Sequence, residues 1–143
     1  MTAIAYETVT DAHGNLLLLT PMSEVAGRLA VRVGAQYLER PHGGRGVLLG
    51  GVPGVEPANV LIIGAGAVGS NAAAIACGMQ ADVTVTARSP DSMRAIADSF
   101  GGRVRTIVSA PAIIQELYQR ADLVIATALV PGRWRRSSLQ ERR

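Results

Sequence analysis

Asn59-Val60-Leu61-Ile62-Ile63-Gly64-Ala65-Gly66-Ala67-Val68-Gly69 reads as an apolar strand running directly into G-x-G-x-x-G and then into a helix. The glycines have separable roles. Gly64 permits a tight turn, Gly66 lets a pyrophosphate come close to the backbone, and Gly69 lets the helix pack against the strand. The helix N-terminus adds amide donors and the positive end of its dipole. The string is weak evidence by itself; its place inside a strand-loop-helix-strand unit gives it meaning. The competing reading is a glycine-rich packing turn that holds no ligand.

Beyond this loop the same alternation continues. Ala67 to Met79 is a helix of small residues, Asp82 to Ala87 a strand, and Ser89 to Phe100 a helix opened by Ser-Pro-Asp. Val104 to Val108 is a third strand, Ala112 to Arg120 a helix, and Ala121 to Ala128 a fourth strand. Apolar strands alternating with helices predict a covered parallel sheet. The fold class is therefore α/β, a partial Rossmann-type sheet of about four strands. The acid that should close the second strand and hold the adenosine ribose hydroxyls is missing, because the strand ends Ala87-Arg88-Ser89. Asp82 stands at the opposite end. Arg88 and Ser89 then have two readings, as a cradle for the 2′-phosphate of NADP or as solvated loop residues.

Upstream, residues 2–9 alternate as a short strand, His13-Gly14-Asn15 is a turn, and Leu16 to Leu19 continue as an extended apolar run. Thr20-Pro21 reads as a helix start, with threonine capping and proline in the first position. Met22, Val25, Ala26, Leu29, Val33 and Tyr37 share one helical face up to about Arg40. Gly27 and Gly34, each costing about 1 kcal/mol against alanine, imply close packing on another helix. Residues 41–58, rich in glycine and proline, form a connector folded tightly over a neighbour.

Composition narrows the function. The chain has 143 residues, 48% hydrophobic and 17% charged, enough to bury a core. Aromatics at 3% argue against single-stranded nucleic-acid recognition. All 14 basic residues are arginines, which removes any lysine-based phosphate loop, Schiff base or general base. The net charge of +3 is concentrated in residues 133–143, where five arginines face one acid; elsewhere nine arginines face ten acids. A polyanion partner is therefore not expected. Cys77 is alone and His13 and His42 sit in apparent turns, so no metal site is expected. Val60 to Ala81 carries no charge over 22 residues, but its glycines suit a buried strand-turn-helix better than a membrane span. No secretory signal pattern opens the chain, and the expected location is cytoplasmic.

Several stretches resemble the alanine dehydrogenase family: Ala5-Tyr6-Glu7-Thr8-Val9, Pro21-Met22-Ser23-Glu24-Val25-Ala26-Gly27-Arg28, and Gly43-Gly44-Arg45-Gly46-Val47-Leu48-Leu49-Gly50-Gly51-Val52-Pro53-Gly54-Val55. Gly69 through Ala73 and Ala121-Asp122-Leu123-Val124-Ile125 extend the resemblance, which runs from about residue 3 to Gly132. It implies NAD-dependent oxidative deamination of L-alanine to pyruvate and ammonia by a cytoplasmic homo-oligomer, usually a hexamer. It also implies that the helix after Thr20 links two domains. Residues 1–57 would then be inter-domain, 58–132 a partial dinucleotide-binding domain, and 133–143 a tail. By the same resemblance the cofactor site is lined by Ser23, the loop Gly64, Ala65, Gly66, Ala67, Val68 and Gly69, then Ser109, Ala128 and Leu129. Ala87 and Ser92 depart from the family pattern, which leaves the choice between NAD and NADP open. The family's catalytic lysine, histidine and aspartate lie in regions with no counterpart here, so the expectation is a truncated enzyme without turnover of its own. A non-catalytic NAD(P)-binding module and a non-functional gene remnant are the alternatives.

The tail carries one further expectation. The family continues with something like Ala-Pro-Lys-Leu-Val-Thr; encoded GCG CCG AAG CTC GTT ACA and read one nucleotide later, this becomes Arg-Arg-Ser-Ser-Leu-Gln, the string at 135–140. A frameshift near Gly132 would explain it, and an evolved basic extension for an acidic partner is the other reading.

Overall fold

The structure is a computed structural model and describes residues 9–127. The strand expected at 2–9, all but its last residue, and the tail 133–143 lie outside the described residues. Four parallel strands, β1 (Asn59–Ile63), β2 (Asp82–Ala87), β3 (Val104–Val108) and β4 (Leu123–Ala126), form one sheet in the order β3-β2-β1-β4. Helices α1 (Thr20–Leu38), α2 (Ala67–Gly78), α3 (Pro90–Phe100) and α4 (Pro111–Arg120) pack around it.

β1 is apolar on both faces, as a covered parallel strand is, while β2 puts valines on one face and the buried Thr84 and Thr86 on the other. In register, Val60 lies opposite Val83 and Leu123, and Ile62 opposite Val85 and Ile125. These side chains share a core with Ala72, Ala73 and Ala76 of α2, Ile96 of α3 and Val31 of α1. Each large aliphatic residue buried there contributes about 1.5–3 kcal/mol. The alanines of α2 keep that helix close to the sheet and leave room for α1 on its other side.

Helix α1 packs on α2 through Gly27, the close helix contact that its glycines imply. Its buried residues are Gly27, Val31 and Leu38, whereas Met22, Val25, Leu29, Val33 and Tyr37 are between 46% and 63% exposed. Both stripes of α1 are apolar, and backbone proximity decides between them. A Cβ on Gly27 would strike the Val68 carbonyl of α2 and lie 3.0 Å from Ala72 N. That close approach is open only to the glycine stripe. Gly34 differs from the expectation of a helix partner: a Cβ there would lie 2.5 Å from Leu123 Cδ1 of β4.

The entry to α1 also differs. Leu17 to Leu19 form a turn rather than an extended run, closed by Leu19 N and Thr20 N donating to the Leu16 carbonyl at 3.1 and 3.0 Å. Leu19 occupies the cap position, and the Thr20 hydroxyl donates back to that same carbonyl at 2.9 Å instead of capping. The α-helix ends at Leu38, followed by a short 3-10 turn at Arg40–His42. Just before this entry, the Asp11 carboxylate accepts from the Asn15 side chain and backbone and from His13 N, which holds its pKa below the usual carboxylate value.

The connector folds tightly, as its composition implies. Gly46 N donates to the Leu38 carbonyl at 2.8 Å and Ala58 N to the Leu49 carbonyl at 3.0 Å. Arg45 reaches Asp122 at 2.8 Å, and Asp122, only 10% exposed, also accepts from Asn59 N at 2.9 Å. One carboxylate thus ties the connector to the starts of β1 and β4, at the end of the sheet away from the glycine loop.

Candidate functional site

In the strand order β3-β2-β1-β4, β1 pairs with β2 on one side and β4 on the other. The chain's windings diverge between β1 and β4, and a crevice opens at such a point beyond the carboxyl ends of the strands. A cleft of about 440 Å³ lies there. Its walls come from five parts of the chain: Leu16, Leu19, Thr20 and Ser23 around the start of α1; Ile63 to Val68; Thr86 to Ser89 with Ser92; Ser109; and Thr127.

The glycine loop is built as its spacing requires. Gly64 has φ +115°, a region that L side chains rarely adopt, and its N–H donates to the Thr86 carbonyl at 2.8 Å. Gly69 sits so close beneath the loop that a Cβ would strike the Gly64 carbonyl and approach Thr127 Oγ1 at 3.1 Å. Gly66 has open space around its Cβ position and ordinary extended angles. Its missing side chain therefore serves the surface of the loop, not the fold. No side chain caps α2, so its first-turn amides remain for water or an anion.

Thr127, one residue beyond β4, fastens the loop. Its N–H donates to the Ile63 carbonyl at 2.9 Å, and its hydroxyl lies 3.1 Å from the carbonyls of Ile63 and Gly64. Thr86, also in the cleft lining, is buried and its Oγ1 has no hydrogen-bond partner among the described residues.

Of the residues expected at the site, Ser23, Gly64, Ala65, Gly66, Ala67, Val68, Arg88, Ser89 and Ser109 all line this one cleft. Gly69 supports the loop from behind. Ala128 and Leu129 lie outside the described residues. Sequence reasoning missed Leu16, Leu19, Thr20, Thr86 and Thr127 as wall residues. A threonine just past an apolar strand is the only signal that could have pointed to Thr127; the leucines reach the cleft through the turn before α1, which the pattern did not show.

The electrostatics are spare. Arg88 is the charged residue of the lining, and no carboxylate joins it among the described residues. Asp82 stands at the far end of β2, beside Arg105 at 3.5 Å. No cluster of three His, Cys, Asp or Glu side chains suited to a metal ion occurs among the described residues. None of the described helices is long and apolar enough to cross a membrane.

Strand order, crevice and glycine loop together define a Rossmann-type α/β domain. The family model "Alanine dehydrogenase/PNT, C-terminal domain" matches residues 30–139, and the chain belongs to that family. It is 56% identical over 131 residues to the alanine dehydrogenase of Mycolicibacterium smegmatis, covering 92% of this chain and 35% of that enzyme. A solved L-alanine dehydrogenase superposes with a TM-score of 0.90 at 47% identity, over 96% of this chain and 38% of that one. A transhydrogenase from Sinorhizobium meliloti superposes at 0.66 and 30% identity, over 81% of this chain and 32% of that one. The chain therefore spans about a third of the length of these relatives.

Proposed function

We propose that this chain is the cofactor-holding segment of an alanine dehydrogenase, binding a pyridine dinucleotide in the cleft over β1 and β4. The complete reaction would be the family's, oxidative deamination of L-alanine to pyruvate and ammonia, with the bound pyridine dinucleotide as the oxidant. The observation that carries the reading is the open surface over Gly66 beside the uncapped start of α2. In this proposal the loop amides from Gly64 to Gly69 hold the pyrophosphate, Arg88 and Ser89 meet the adenosine end, and Ser23, Ser109, Ala128 and Leu129 border the rest. The division into an inter-domain part, 1–57, and a dinucleotide-binding part, 58–132, belongs to the same proposal.

The cleft holds a cofactor better than it supports chemistry. Hydride transfer from an amino acid needs proton-transfer groups within reach of the substrate. The described lining offers hydroxyls, backbone amides, apolar groups and one arginine, with no histidine, cysteine or carboxylate, and the sequence holds no lysine. The expected result is saturable quenching of reduced-dinucleotide fluorescence without any rate with L-alanine, or with pyruvate and ammonium, above a protein-free blank. Turnover by this chain alone would overturn the second half of that expectation. Absence of saturation with either NADH or NADPH would overturn the first.

Homo-oligomeric assembly into hexamers belongs, in this proposal, to full-length members of the family and is not expected of this segment alone.

A further inference from the structure

Resting on the dinucleotide reading above, we propose that the cleft selects a dinucleotide bearing a 2′-phosphate on its adenosine ribose, held by Arg88, Ser89 and Ser92. The argument starts from β2. A carboxylate at the end of that strand accepts hydrogen bonds from free ribose hydroxyls and repels a phosphate in their place. Here the strand ends in Ala87, whose methyl group does neither. No acid substitutes for it: Asp82 is at the other end of β2 with Arg105, and Asp91, on the first turn of α3, is 90% exposed and paired with Arg94 at 3.0 Å.

What remains at the corner is all donor. Arg88 lines the cleft, and its guanidinium has no hydrogen bond or ion pair among the described residues. Ser89 Oγ caps α3 by accepting from Ser92 N at 3.4 Å, which leaves its own O–H to donate. Ser92, one helical turn into α3, lines the same cleft, and its hydroxyl has no hydrogen-bond partner among the described residues. A planar guanidinium gains little from a neutral hydroxyl but binds phosphate oxygens through parallel charge-assisted bonds. One guanidinium, two hydroxyls and no competing carboxylate match a dianionic monoester on the ribose better than a bare diol.

The test is a fluorescence titration of the full chain and of Arg88→Ala with NADPH and NADH in turn. The exposed Arg88 side chain can be removed without disturbing the core. The full chain should bind NADPH at least about tenfold more tightly than NADH, and Arg88→Ala should lose most of that margin by weakening NADPH alone. Equal or tighter binding of NADH by the full chain, or an equal loss of both ligands in Arg88→Ala, overturns the selectivity while leaving dinucleotide binding intact. No saturable binding of either ligand overturns the underlying reading and the selectivity together.

Discussion

Gly69→Ala is expected to abolish saturable dinucleotide binding and to lower the melting temperature by roughly 10 °C. The added methyl group would strike the Gly64 carbonyl, which is backbone and cannot rotate away. Relief requires moving either the loop or the start of α2, at a cost of about 3 kcal/mol. The loop is held from its other side by Thr127, whose hydroxyl lies 3.1 Å from the Gly64 carbonyl, so the strain spreads to β4. Gly66→Ala is the informative contrast. Its Cβ position is open and its angles suit any residue, so stability should change by less than about 1 kcal/mol. Binding should nonetheless fall by tenfold or more, because the methyl occupies the surface that the pyrophosphate would approach. Paired melting curves and titrations separate the two. A Gly66→Ala variant that binds like the parent chain would show that the phosphate does not lie over this loop.

The second large effect is expected at Gly27. A methyl group there would meet the Val68 carbonyl and crowd Ala72 N and Asn71 Cβ, both at 3.0 Å. Overpacking against helix backbone costs about 3 kcal/mol, offset by about 1 kcal/mol of helix propensity, for a net loss of about 2 kcal/mol. Gly34→Ala meets only the flexible end of Leu123 at 2.5 Å, which can turn aside, so its strain and propensity should nearly cancel. Gly27→Ala should also weaken dinucleotide binding, since pushing α1 from α2 displaces Leu19, Thr20 and Ser23 from the cleft wall. Chemical denaturation of both variants tests the pair. Equal stability of Gly27→Ala and Gly34→Ala would sink the claim that the glycine stripe sets the seat of α1.

The legible and illegible parts of this chain differ in physical kind. β1 was readable to the residue because a buried parallel strand is a short apolar run, and β2 and β3, which include Thr84, Thr86, Arg105 and Thr106, because their β-branched residues stand between breakers or charges. The glycine loop was readable because its chemistry is backbone chemistry, and only glycine permits it. The missing carboxylate at Ala87 was readable for the same reason, as a position with a known task. The seat of α1 was legible in part: Gly27, costly inside a helix, marked the close approach to α2. Gly34 carried the same signal but meets the Leu123 side chain of β4, because helix and sheet partners ask for the same small residue. Thr20 misled. Threonine before proline has the composition of a cap, but the preceding Leu16–Leu19 turn presents a carbonyl that takes its hydroxyl first. The wall residues Leu16, Leu19 and Thr86 owe their place to tertiary arrangement, which no local pattern encodes.

The strand order has a consequence for how the protein is made. β1 stands between β2 and β4, and its contact with the β4 end spans 63 residues, from Asn59 to Asp122. During synthesis at about 5–20 residues per second, the most apolar strand of the sheet waits several seconds with one edge unpaired. Over that interval a nascent chain exposes a hydrogen-bonding ladder that any other extended segment can occupy. Only when Leu123 to Ala126 emerge does the Thr127 hydroxyl reach the glycine loop, so the cleft takes shape among the last events of folding.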